Sequence, residues 1–122
     1  MDTFLLVLSV LLAAIYAAVG ANKLLAPRER LLAVPGMGWV ADVPMSPVRL
    51  IGVLEIAGAI GLIVPWATGI LTPLTPLAAW GLAAVQVGGI RTHVRRGERD
   101  KLMLNVLLLL AAVVVAIGRS VG

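Results

Sequence analysis

Between Asp2 and Lys23 the chain carries no charged side chain, and three later segments are nearly as free of charge. The hydrocarbon core of a bilayer is about 30 Å thick and a helix rises about 1.5 Å per residue, so a span needs about 20 mostly apolar residues. Four segments qualify, over about 3–21, 48–64, 73–90 and 102–117. The second follows Pro47, stops at Pro65 and, beyond Arg49 at its very start, contains one ionisable group, Glu55. The third begins at Pro73, because Pro73 and Pro76 fit a first helical turn, where no amide partner is lost. The fourth, closed by Gly118, is short at roughly 16 residues, within reach if flanking Arg and Lys stems snorkel. The expected fold is all-α: a polytopic transmembrane four-helix bundle forming one domain over 1–122.

Composition excludes the main competitors. The chain is 61% hydrophobic and 13% charged, whereas soluble domains carry roughly 25% charged residues. A small soluble domain exposes too much surface to manage with so little charge. Soluble four-helix bundles also present polar faces, while these helices are apolar all round. Disorder requires low hydrophobicity and is excluded with them. Without cysteine the chain has no disulfide framework, thiolate metal site or thiol chemistry of its own. The first segment bears Asp2 where a signal peptide has a positive n-region, so it reads as a retained span.

Charge then orients the bundle. Lys23, Arg28 and Arg30 lie in the first connection, and Arg91, Arg95, Arg96, Arg99 and Lys101 in the third; the opposite side carries only Arg119. The positive-inside rule places both basic loops in the cytoplasm and both termini outside. The formal charge of +4 is accordingly read as topology and lipid-headgroup contact, not nucleic-acid binding. Within the first loop, Pro27 to Pro35 puts charges before apolar residues, as in a short interfacial helix. Trp39 reads as a headgroup anchor, Trp66 as an outer boundary marker and Trp80 as internal to the third span. Small residues spaced by four are read as bundle-packing faces: Ala13, Ala17 and Ala21; Ala57 and Gly61; Ala79 and Ala83; Ala84 and Gly88.

Polar groups inside the spans are the informative ones, since a charge at the bilayer centre costs about 2.5–3.5 kcal/mol or more. Glu55 sits roughly 10 Å into the second span from the cytoplasmic end. Gln86, Asn105 and Lys23 occupy the same depth on the other three helices, one group from each. Tyr16, Gly20 and Lys23 share one face of the first helix, as do Gln86, Gly89 and His93 on the third. Lys23 is the expected partner of Glu55, with Gln86, Asn105 and Tyr16 as hydrogen-bond neighbours, because a buried ion persists only when paired. Arg49, about 120° off the Glu55 face, is expected nearer the headgroups. The cluster reads as a structural clamp, as a polar pocket for a small amphiphile or a proton, or as a contact with a partner subunit. His93 reads as an interfacial histidine. One histidine and no cysteine fall short of a metal site, and the hydroxyls of Ser9, Thr72 and Thr75 sit toward the outer leaflet, far from His93, so no nucleophilic triad is read.

The run from Arg49 to Pro65, the sequence Gly20-Ala21-Asn22-Lys23-Leu24, the histidine after the third helix and the asparagine early in the fourth together resemble the DoxX-like family of small four-helix bacterial membrane proteins. The resemblance implies a bacterial plasma-membrane protein. It also implies an accessory or scaffold subunit of a membrane redox or detoxification assembly, since the family's namesake accompanies a quinone-linked sulfur oxidoreductase. Distant eukaryotic relatives resemble chaperones for membrane receptors. Fold-level analogy does not establish chemistry. Two functions follow as expectations: an accessory subunit that docks a partner or a second copy, or a protein that binds or transports a quinone-like or protonatable amphiphile around Glu55. A self-sufficient enzyme is disfavoured for want of a nucleophile, metal set or cofactor motif, and no cofactor is specified.

Overall fold

A computed structural model describes residues 2–121; the side chains of Asp2, the charge that bounds the first apolar segment, and of Lys101, in the third connection, lie outside the described residues, as do Met1 and Gly122. The described chain is helical. Four long helices, α1 (Asp2–Leu25), α3 (Met45–Thr68), α4 (Leu74–Arg95) and α5 (Leu102–Val121), are joined by connections that contain a short helix α2 (Arg28–Leu32) and 3-10 turns at Gly38–Asp42 and Arg99–Lys101. They run up and down in turn. α1 packs closely on α3, α3 on α4 and α4 on α5, while α1 and α5 close the ring more loosely.

Three helices are long and apolar enough to cross a membrane: Thr3–Leu25, Met45–Thr68 and Leu102–Val121, with mean hydropathies of 2.5, 2.0 and 2.4. α4 has 22 residues, which at about 1.5 Å each also matches a bilayer. Its composition falls below the standard the other three meet, because Gln86, Arg91, Thr92, His93 and Arg95 crowd its second half.

The helices outrun the apolar segments, for local reasons. Pro47 does not precede the second long helix but sits in its first turn, where an amide hydrogen would be unused. Pro65 does not stop it either. It is buried in the last turn, the Thr68 hydroxyl donates to the Val64 carbonyl at 2.8 Å, and the helix ends one turn later at Gly69, whose φ of 72° suits glycine. Gly118 lies inside α5 rather than closing it. A Cβ there would come within 2.7 Å of Leu5, so the glycine marks close packing of α5 on α1.

The main core gathers Leu12 and Tyr16 from α1, Leu62 from α3, Leu82 from α4 and Leu108 and Val115 from α5. A second cluster forms under the first connection, where Leu31 of α2 buries against Ala26, Val40 and Val48. The alanine stripes are only partly packing faces. Ala79 and Ala83 are buried, but Ala17, Ala57 and Ala84 are exposed. The closest backbone approach is instead between α1 and α3. A Cβ on Gly52 would lie 2.6 Å from the Gly20 carbonyl oxygen and 2.8 Å from the Leu24 nitrogen. Trp66, expected at the outer boundary, packs under the Arg119 guanidinium at 4.0 Å, and Trp80 faces outward.

Candidate functional site

The Gly20–Gly52 approach brings the next turn of α1 against α3, and this delivers Lys23 to Glu55. The ammonium Nζ donates to Glu55 Oε1 at 2.7 Å; Glu55 is 1% exposed and the Lys23 side chain 14%. Across the bundle, Asn105 Nδ2 on α5 donates to Gln86 Oε1 on α4 at 2.8 Å. Gly89 makes room for it, since a Cβ there would sit 2.6 Å from the Asn105 amide. Of the four polar groups expected at one depth, Lys23 and Glu55 pair between α1 and α3, while Asn105 and Gln86 bond to each other between α4 and α5 and not to Glu55.

Tyr16 is fully buried, but its hydroxyl makes no hydrogen bond of normal geometry, so it does not bond to Glu55 as the sequence suggests. Arg49 does not reach Glu55, as its angular offset suggests. Its Nη1 donates to the carbonyls of Lys23 at 2.9 Å and Ala26 at 2.6 Å, satisfying acceptors that the end of α1 would otherwise leave open. That bond fixes the turn that carries Lys23.

His93 is a buried residue of the last turn of α4, and not a loop histidine. Its Nδ1 lies 3.1 Å from Glu98 Oε1, and its far ring edge faces Gly36. Arg96 also donates to Glu98, at 3.1 Å, and reaches across to pair with Asp42 of the first connection. With His93 and Arg96 both beside it, the Glu98 carboxyl is held below the usual carboxylate range. Arg28 pins the same connection from below, donating to the carbonyls of Val40 at 2.7 Å and Val43 at 3.0 Å. The stretch 40–43 of the first connection is thereby braced to α2 and, through Asp42, to the third connection.

Under it lies a cavity of about 830 Å³. Its polar lining is Asn22, Lys23, Glu55, Gln86, Thr92, His93, Asp100 and Asn105. Its roof is the first connection, through Val34, Pro35, Gly36, Met37 and Trp39, so Trp39 covers a cavity instead of simply marking the headgroups. Its apolar wall comes from Val19 of α1, Val85 of α4 and Met103, Leu104 and Leu107 of α5. A shallower groove of about 440 Å³ between α1 and Arg30 contains none of the paired groups. Five of these eight polar wall residues stand out in the sequence; Asn22 and Asp100 do not. Sequence reasoning also missed Thr92, the roof and the Asp42–Arg96–Glu98 link, none of which has a signal in spacing or hydropathy.

Chemically, the arrangement offers hydrogen bonds without offering a reaction. Lys23 spends one of its three ammonium protons on Glu55, and the Gln86 amide spends its oxygen on Asn105. The remaining donors of both side chains sit at the edge of an otherwise apolar space. Such an enclosure, mostly apolar with a few convergent polar groups, suits a small ligand with a compact polar end.

No curated protein and no solved structure matches the chain. The sequence pattern of one family, described as the DoxX-like family, matches residues 7–115, which takes in all four long helices, both bonded pairs and the cavity. The chain belongs to the DoxX-like family.

Proposed function

We propose that this chain is a four-span plasma-membrane protein that binds a quinone-like amphiphile in the cavity bounded by Lys23, Glu55, Gln86 and Asn105. α4 serves as the fourth span; its polar half faces the cavity, which explains why its composition alone does not mark it. The end with both basic connections faces the cytoplasm, the termini face outside, and α2 lies at the inner interface. In this arrangement a ligand carbonyl accepts from the free protons of Lys23 or Gln86, while Trp39 and Met37 cover the ring from above. Both pairs hold their geometry before the ligand arrives, which limits the ordering cost of binding.

The observation that carries this reading is that the cavity reaches Glu55. A clamp alone would close dry around the Lys23–Glu55 pair, and so would a pure scaffold. A role beside a partner in a redox or detoxification assembly remains compatible with ligand binding and is not required by it.

The test uses Trp39 as reporter. With Trp66→Phe and Trp80→Phe installed, Trp39 is the sole tryptophan, and its fluorescence is titrated with decylubiquinone in lipid nanodiscs. A saturable quenching component is expected. Quenching that rises linearly with quinone in the bilayer, with no saturable part, refutes the proposal.

A further inference from the structure

We infer that the cavity is filled from the side, through the seam between α1 and α5, and that its occupant is therefore a membrane lipid with a compact headgroup and a tail left in that seam. This rests on the reading of the cavity as a binding site. It adds the class of ligand and its route.

The seam is closed at one end and open at the other. At the end bearing the chain termini, Leu5 of α1 packs on Gly118 of α5 so closely that a Cβ would meet it at 2.7 Å. Antiparallel helices keep their register, so fourteen residues further on, about 21 Å at 1.5 Å per residue, Val19 stands level with Leu104. There the cavity lies against both helices. Both residues line the cavity. This matches the looser packing of α1 on α5 than of the other neighbouring pairs.

The other approach is roofed. The first connection covers the cavity at the basic end, braced within itself by Arg28 to Val40 and Val43 and held to the third connection by Arg96 to Asp42, with exposed Asp100 at the cavity rim. A solute that moved this roof aside would have to break the Arg96–Asp42 pair. The lateral mouth asks nothing comparable. Met103, Leu104 and Leu107 border the cavity and are 75%, 58% and 57% exposed, so on a membrane-crossing helix they face acyl chains. The lining thus grades from charged and amide groups inside to bare aliphatic groups at the mouth. A molecule with a polar end and an aliphatic tail matches that gradient, and its tail leaves through the mouth without being desolvated, because lipid is as apolar as the helices.

The cysteine-free chain makes the test direct. Val19→Cys and Leu104→Cys are introduced together on the Trp39-only background and bridged by a cleavable bismaleimide, which fills the seam. Trp39 quenching is then titrated in nanodiscs with decylubiquinone and, separately, with 2,3-dimethoxy-5-methyl-1,4-benzoquinone, which has the same ring and no tail. Bridging should weaken the tailed quinone at least about tenfold more than it weakens the tailless ring, and be reversed on cleavage. Val19→Phe with Leu104→Phe, which narrows the same gap without a bridge, should act in the same direction. Unchanged affinity for the tailed quinone in both sealed forms overturns the inference. So does bridging of Leu104→Cys alone to a second copy of the chain with loss of quinone binding, since the seam would then be covered by protein. Absence of saturable quenching by either quinone in the unsealed chain is a different result, and counts against the binding reading itself.

Discussion

Replacing Lys23 with methionine isolates what the buried carboxylate requires. At 2.7 Å and an effective dielectric of about 20, the Lys23–Glu55 attraction is about 6 kcal/mol before either ion's desolvation is subtracted. Most of that offsets the cost of taking both charges out of water, so the intact pair contributes little net stability. Its loss is another matter. Lys23→Met strands a carboxylate that is 1% exposed, at a cost of about 3–5 kcal/mol. Glu55→Leu is milder, about 1–3 kcal/mol, because Lys23 lies near the end of α1 with its side chain 14% exposed and can turn its ammonium toward the aqueous end. The double variant removes both ions and should return to within about 2 kcal/mol of the parent. Unfolding of all four proteins by sodium dodecyl sulfate in mixed micelles, followed by circular dichroism, yields the coupling energy. It should be at least about 2 kcal/mol, with Lys23→Met the more damaging single change. Additivity to within about 0.5 kcal/mol, or a milder effect of Lys23→Met, would refute the reasoning.

Gly88 lines the cavity and a Cβ there would meet nothing within 4 Å; Gly88→Leu should leave the helix as stable or firmer by about 0.5–1 kcal/mol while weakening decylubiquinone quenching of Trp39, and unchanged binding would argue against the cavity as the site. Gly52→Ala should destabilise by about 1–3 kcal/mol in the same unfolding assay because its Cβ collides with the Gly20 carbonyl, whereas Gly81→Ala, with open space around it, should not destabilise. Arg49→Met leaves two α1 carbonyls without their donor and should cost about 1.5–3 kcal/mol, with faster amide exchange over 22–26. Because the Glu98 carboxyl is held below its unfolded value, the link between the two connections is at full strength above the ordinary glutamate range near about 4.3 and is lost as pH falls through the lower folded value. Hydrogen exchange over 33–43 should therefore quicken in acid, and Glu98→Gln should remove that dependence.

The Lys23–Glu55 pair was legible because each member is an anomaly where it stands, whereas the Asn105–Gln86 bond was not, both amides being expected on Glu55. A lone glutamate or lysine among aliphatic residues must find a partner, and equal depth on four helices leaves few candidates. The cavity was not legible, since it depends on how far α1 and α5 diverge, which no residue type encodes. The alanine stripes misled for a related reason. In lipid an alanine facing outward pays no penalty, so small-residue spacing reports what could pack, while Gly20 and Gly52 do pack because their carbonyls and Cα atoms nearly meet. Arg49 escaped because its angular offset from Glu55 says nothing about the open carbonyls of the neighbouring helix end. Hydropathy marks α1, α3 and α5 as long and apolar enough to span and falls short on α4, where Gln86, Thr92 and His93 belong to the cavity wall and Arg91 and Arg95 add further polarity.

Whether these membranes load the cavity can be read from mass. The wild-type chain and Gly88→Leu, extracted in the same mild detergent and sprayed intact, would be compared for bound species. The account expects one tail-bearing amphiphile per wild-type chain, identified by its fragments and absent from Gly88→Leu. A wild-type spectrum with no bound species, or one whose adducts persist unchanged in Gly88→Leu, would contradict it.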